Sequence, residues 1–200
     1  MKALKILSIA AVVIVGLFVI VGLMLPRGVH VERSTMIEAP KQQVFALVSG
    51  FARFNEWSPW ADLDPEATYV LSGPEQGLGA RMEWRSDKPE VGAGAQEVIA
   101  IQPGREVRVK LSFEGQGEAN ATMLLAGGPE STRATWSFDM DLGMNPVMRW
   151  MGLMIDGPIG ADYEKGLSRL KSLAEGEAAA AREAAAEGGA LEAATPDEAA

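Results

Sequence analysis

The middle of this chain is built on a period of two. Ala80, Met82 and Trp84 alternate with Arg81, Glu83 and Arg85; Val107, Val109, Leu111 and Phe113 alternate with Glu106, Arg108, Lys110 and Ser112; Ala134, Trp136, Phe138 and Met140 alternate with Arg133, Thr135, Ser137 and Asp139. Successive residues of a strand point to opposite faces, so each run carries one apolar face and one wet face. Turn signals interrupt the runs about every ten residues, from Gly73-Pro74 through Gly92, Gly94, Pro103-Gly104 and Gly115 to Gly127-Gly128-Pro129. The pattern predicts an antiparallel meander of six strands covered on one side. His30–Ile37, rich in branched residues, predicts a seventh strand ahead of it.

The flanks of the meander read as helices. Proline at Ala39-Pro40 suits a helix start, and Val44, Phe45, Leu47 and Val48 then recur at helical spacing, continued by Phe51, Phe54 and Trp57 after a break at Gly50. Ser58-Pro59 closes this pair of short helices, because a residue before proline is pushed out of the helical region. After the meander, Met148, Met151, Ile155, Ile159, Tyr163, Leu167 and Leu170 follow at steps of three and four. They predict a short helix starting near Pro146, a break around Gly157-Pro158, and a long helix ending near Leu173 with Pro158 in its first turn.

Both ends of the chain differ from this middle. From Ile6 to Leu25 no residue carries a formal charge, and a helix of that length spans about 30 Å, the thickness of a bilayer's hydrocarbon. It exceeds the apolar stretch of a cleaved signal peptide, and no small-x-small cleavage site follows it. Residues 1–28 are therefore expected to be a single-pass anchor meeting the lipid bilayer through residues 6–25. Lys2 and Lys5 precede the span while Arg27 and Arg33 follow it closely, so the charges only lean toward a domain on the non-cytoplasmic side. Residues 175–200 are an Ala/Glu-rich tail of seven acidic residues and one basic one, which accounts for −6 of the net charge of −9. With Leu191 as its only large apolar residue, this tail is expected to be solvated or only transiently helical. Residues 29–174 remain as the folded domain.

The composition excludes much chemistry. The chain has no cysteine and a single histidine, His30, which removes disulfides, thiolate metal sites, thiol nucleophiles and any site that needs two imidazoles. The acidic balance argues against nucleic acid as a partner. His30 reads as a structural or exposed residue and Asp62 and Asp64 as a solvated turn. Gly77-Leu78-Gly79 and Gly92-Ala93-Gly94 read as hairpin glycines, and Asn120-Ala121-Thr122 as a chance glycosylation match inside a strand. No catalytic residue, metal site or cofactor is assigned. On the apolar face, Trp60, Met82, Trp84, Phe113, Met123, Trp136, Phe138, Met148, Met151 and Tyr163 are expected to point into the space between sheet and long helix. Aromatic and methionine side chains make large, adaptable apolar walls. Beyond Tyr163 that face shows no carboxylate or base, which disfavours acid–base catalysis.

The segment Val31-Glu32-Arg33-Ser34 leading to Glu38-Ala39-Pro40 and Val44-Phe45-Ala46-Leu47-Val48 resembles the opening strand and helix of the START-like (SRPBCC) superfamily, polyketide cyclase/dehydrase and lipid-transport members included. Phe54-Asn55-Glu56-Trp57-Ser58-Pro59-Trp60 is similar to that family's segment after its second helix, and Ala161–Lys171 to its last helix. The resemblance covers about Val29–Ala174. It implies an α+β helix-grip fold, in which a seven-stranded antiparallel sheet wraps around a long C-terminal helix, with two short helices after the first strand. It further implies a cavity, so the expected function is a membrane-anchored domain that binds a hydrophobic small molecule or lipid. The alternatives are a cyclase/dehydrase- or aromatase-like enzyme and a cochaperone-like protein-interaction module.

Overall fold

The computed structural model describes residues 2–115 and 117–194. An N-terminal helix α1 (Lys2–Met24) leads into strand β1 (Gly28–Ile37) and two short helices, α2 (Lys41–Val48) and α3 (Phe54–Trp57). Six strands follow: β2 (Thr68–Ser72), β3 (Arg81–Arg85), β4 (Ala93–Gln102), β5 (Glu106–Phe113), β6 (Gly117–Gly127) and β7 (Thr132–Asp141). Helices α4 (Pro146–Gly152) and α5 (Asp156–Ala194) complete the chain. The sheet order is β1-β7-β6-β5-β4-β3-β2, antiparallel throughout. This is the expected α+β helix-grip architecture.

The period of two is visible in the burial. Ala119, Ala121, Met123 and Leu125 of β6 and Ala134, Trp136 and Phe138 of β7 are all buried on the concave face. A bulge between Val98 and Ala100 bends β4, adding to the curl that lets the sheet wrap a helix. That helix is α5, whose stripe of Tyr163, Leu167, Leu170 and Ala174 is almost completely buried. Gly166 lies against Trp136 and Pro59 so closely that a Cβ there would stand 2.8 Å from the indole, so only glycine allows this approach. Beside it Arg33 of β1 pairs with Asp156 at 3.3 Å and Glu164 at 2.8 Å. At the other end of the helix pair, the fully buried Thr132 hydroxyl donates to the Ala39 carbonyl at 2.8 Å and fixes the entry to α2.

The break between the last two helices falls at Leu153–Ile155, earlier than expected, and Pro158 occupies the first turn of α5. The expected end near Leu173 is passed without interruption, and α5 runs to Ala194. Its continuation also packs. Glu175 accepts from the Glu38 amide at 2.7 Å, Glu177 pairs with Arg53 at 2.5 Å, and Ala178 is buried. Alanine needs no large side chain to dock when a neighbouring helix comes close, and Ala and Glu both favour helix. The solvated tail therefore begins after this contact rather than at residue 175; residues 195–200 lie outside the described ones. Removing residues 175–200 is expected to cost about 1–2 kcal/mol and lower Tm by roughly 2–8 °C. A chain ending at Glu187 should melt like the full chain, which thermal unfolding followed by circular dichroism measures.

Candidate functional site

The sheet is not filled evenly. Along β5 the concave face passes from Val107, fully buried, to Val109, Leu111 and Phe113, which are only partly covered. Above them lies a partly open cavity of about 270 Å³, bordered by β2, β3, β4, β5 and β7, the α3 segment, the start of α5 and the β3–β4 loop. Such a volume sits near the lower end of small-molecule pockets, roughly 300 Å³. A smaller void of about 50 Å³ adjoins it and shares Phe54, Trp60, Gln96, Leu111 and Tyr163 with it. A further groove of about 350 Å³ lies on the convex face among Arg81, Glu83, Arg85 and Glu114 and is open to solvent.

Of the residues expected to face this space, Trp60, Met82, Trp84, Phe113, Phe138 and Tyr163 line the main cavity, and Met123 and Trp136 line the smaller void. Met148 and Met151 do not. They belong to α4, which packs against the end of α1, and Met151 is exposed. The steps of three and four continue in the sequence through the turn at Leu153–Ile155, but the helical phase does not, because α4 ends at Gly152 and α5 begins at Asp156. The structure adds Gln96, Tyr69, Leu111, Ile159 and the rim residue Glu90 to the lining. Gln96 carried a signal, since it lies two residues before the buried Val98 of the same strand.

An aromatic cluster shapes the wall. Tyr163 stacks on Trp136 with ring centroids 3.9 Å apart and planes 9° apart. Trp60 meets both edge-on, at 5.8 Å from Trp136 and 6.3 Å from Tyr163. Its Nε1 donates to Asp162 at 3.1 Å. The Asp162 and Tyr163 positions on α5 thus fix Trp60 at the cavity's side. Trp57, bordering the small void, has the one buried side-chain nitrogen without a partner among the described residues. Burial pushes the Tyr163 phenol far above its ordinary value. At neutral pH it is an O–H donor, not a base. Gln96, buried, has its amide nitrogen 3.9 Å from the Met82 sulfur, a weak contact.

The cavity mouth is held by residues expected to form a solvated turn. Asp64 is buried, its carboxylate accepting from the Ser86 hydroxyl at 2.5 Å and from the Glu66 amide at 3.1 Å. Those bonds, the Ser86 one foremost, hold it below the usual carboxylate range. Lys88 adds a bond to the Leu63 carbonyl at 2.9 Å, and Trp84 Nε1 donates to Val91 at 3.2 Å. Together they latch the β3–β4 loop to the segment after α3. Asp62 faces the other way, paired with Arg169 and Lys165 of α5. His30 lies on the exposed outer side of β1, 2.7 Å from Asp139. Among the described residues no cluster of three metal-ligating side chains occurs.

A long helix gripped by a seven-stranded antiparallel sheet, with a cavity between them, defines the class as helix-grip. The family model described as polyketide cyclase / dehydrase and lipid transport matches residues 28–175, and the chain belongs to this family. Solved structures of the same fold include the Zhui aromatase/cyclase from a Streptomyces species, at 14% identity over 74% of this chain and 94% of that one, TM-score 0.52. Norcoclaurine synthase from Thalictrum flavum, in complex with dopamine and hydroxybenzaldehyde, is 14% identical over 74% of this chain and 90% of that one, TM-score 0.51. The di-domain ARO/CYC StfQ of the steffimycin biosynthetic pathway is 12% identical over 76% of this chain and 52% of that one, TM-score 0.55. At these identities the likeness concerns fold. No curated protein matches the sequence.

Two outcomes follow from the wall and the latch. Because the Tyr163 phenol titrates higher folded than unfolded, its contribution is complete below about pH 10 and is lost as pH rises beyond it. The stability of the native chain should therefore fall more steeply above pH 10 than that of Tyr163→Phe, as denaturant titrations at pH 9 to 11 would record. Asp64→Ala should raise hydrogen exchange of the 88–92 amides at least tenfold while leaving β6 and β7 protected; unchanged exchange there would show that Asp64 does not hold the loop.

Proposed function

We propose that this chain is a membrane-anchored binding domain that takes up a small hydrophobic molecule or lipid in the cavity beneath α5. The observation that carries this reading is the partly enclosed space of about 270 Å³ walled by Trp60, Met82, Trp84, Phe113, Phe138 and Tyr163. Burying an apolar guest there removes its surface from water, at roughly 25 cal/mol per Å². The Tyr163 hydroxyl and the Gln96 amide supply polar handles for orientation. The family's description includes lipid transport, and the related fold in the Thalictrum enzyme accommodates dopamine and hydroxybenzaldehyde.

Anchoring is supported by α1. Its stretch Leu4–Met24 is long and apolar enough to cross a membrane and is almost entirely exposed. Lys2 and Lys5 at its head favour a cytoplasmic N-terminus, with the domain on the other side.

Binding is favoured over turnover by the cavity's polar inventory. Among the described residues its one carboxylate is Glu90, exposed at the rim. Tyr163 is held neutral, so a cyclase-type proton shuttle lacks a base. A cochaperone-like module would have a packed core in place of this cavity.

Organic extraction of the purified chain followed by mass spectrometry is expected to return a bound hydrophobic molecule. Fatty acids, phospholipids or quinones should shift the Trp fluorescence. Ile159→Trp, which narrows the mouth, should weaken that response at least tenfold. A consistently empty protein with unmoved fluorescence would sink the proposal, and turnover abolished by Tyr163→Phe would favour an enzyme.

A further inference from the structure

Helix α4 and the turn after it form an unusual surface. From Met144 to Ile155 the sequence holds one formal charge, Arg149, and that guanidinium is buried. Its Nη1 donates to the Leu23 carbonyl at 2.5 Å and the Leu25 carbonyl at 3.2 Å, and its Nε to the Gly143 carbonyl at 2.9 Å. Arg149 therefore caps the C-terminal end of α1, satisfying carbonyls that have no partner within the helix and meeting its negative dipole end. Trp150 completes the join. It stacks on Phe18 at 5.4 Å and donates to the Phe18 carbonyl at 3.1 Å.

With its charge spent on α1 and the exposed Asn145 used as the N-cap of α4, the rest of the segment turns apolar side chains outward. Met144, Val147, Met151, Leu153 and Met154 are exposed, Met154 by 76%. Elsewhere on the domain, exposed apolar residues such as Leu63, Leu78 and Leu124 stand singly, and the exposed pair Val70 and Leu71 of edge strand β2 points to opposite faces. Here they are contiguous with the foot of a helix that carries no charge from Ile6 to its end. The joint between α1 and β1 is three residues long, Leu25 to Arg27, so the patch cannot leave the level at which α1 ends.

We infer that α4 and the following turn are a bilayer-seated foot: Met144, Val147, Met151, Leu153 and Met154 lie in the headgroup–acyl boundary and hold the domain against the membrane. The inference rests on the reading of α1 as an anchor and adds a second contact and a fixed orientation. Trp150 meets α1 at Phe18, six residues and so about 9 Å before the helix ends at Met24, within the depth of about 5–10 Å to which an interfacial segment buries its apolar side chains. The orientation bears on the cavity. β1 begins and β7 ends beside the foot, and the antiparallel ladders place the end of β3 and the start of β4 at that same end of the sheet. The latched β3–β4 loop and Ile159, which frame the mouth, thus face the membrane side, and a hydrophobic guest enters from the lipid.

The chain has no cysteine, so single-cysteine variants report one position each. Met151→Cys and Met154→Cys, labelled with bimane in full-length chain reconstituted in phosphatidylcholine nanodiscs, are to be compared with Val13→Cys inside α1 and Leu78→Cys at the opposite end of the sheet. Nitroxide on the lipid near the headgroup is expected to quench positions 151 and 154 at least twofold and to leave 78 unchanged, while nitroxide deep in the acyl chain quenches 13. If 13 is quenched and 151 and 154 behave like 78, the foot is overturned and the anchor survives. If 13 is also unquenched, the anchor reading itself fails and the foot falls with it. Shielding of 151 and 154 that occurs only with two chains in one nanodisc would assign the face to a second copy and overturn the proposal.

Discussion

The height of α5 above the sheet determines everything built between them. Tyr163 stacks on Trp136 at 3.9 Å, and one turn further Gly166 brings the helix backbone onto the same indole. Closely packed at this line, the helix and the curled sheet diverge on the β5 side, where Leu111 and Phe113 are only half covered. The cavity is thus a consequence of a tight contact beside it. A larger residue at position 166 would lift the helix and loosen the aromatic wall, at a cost typical of overpacking.

The same contact explains the site's chemical character. An aromatic stack packed among apolar neighbours makes ionisation expensive, so the Tyr163 phenol, like that of Tyr69, which also lines the cavity, stays a neutral hydroxyl. Charged residues are kept to the rim and spent on holding the segments there: Asp64 on Ser86 and Lys88, Asp62 on Arg169 and Lys165, Asp162 on Trp60. The polar network around the mouth is structural, and the interior is left to shape and burial.

How much of this was legible depends on the kind of signal. Alternation at Val107–Phe113 and Ala134–Met140 read directly as strands with one covered face, because side-chain direction in a strand depends only on residue count. The stripe from Ile159 to Leu170 read as a helix for the same reason. Met148 and Met151 were misplaced because no local feature announces that the chain turns at Leu153–Ile155. The packing of Glu175, Glu177 and Ala178 was hidden by their small or polar side chains, which dock because the Glu38 amide, Gln43 of α2 and Arg53 just ahead of α3 meet them. Asp64 read as solvated because its partner Ser86 lies 22 residues away across a hairpin. Contacts of that separation have no sequence period. The family resemblance added the order of elements and the expectation of a cavity, and it carried no information on α4.

The three residues between α1 and β1 have a consequence for logistics. At most about 10 Å of chain separates the end of the helix from the sheet, and Arg149 and Trp150 take up even that slack. A domain fastened so short has no radius of action. On the anchored reading, it cannot ferry cargo across an aqueous gap to a second membrane in the manner of a module on a long flexible stalk. Whatever it accepts must arrive by lateral diffusion in its own leaflet or be delivered by a partner that comes to it, and whatever it releases returns to the same place.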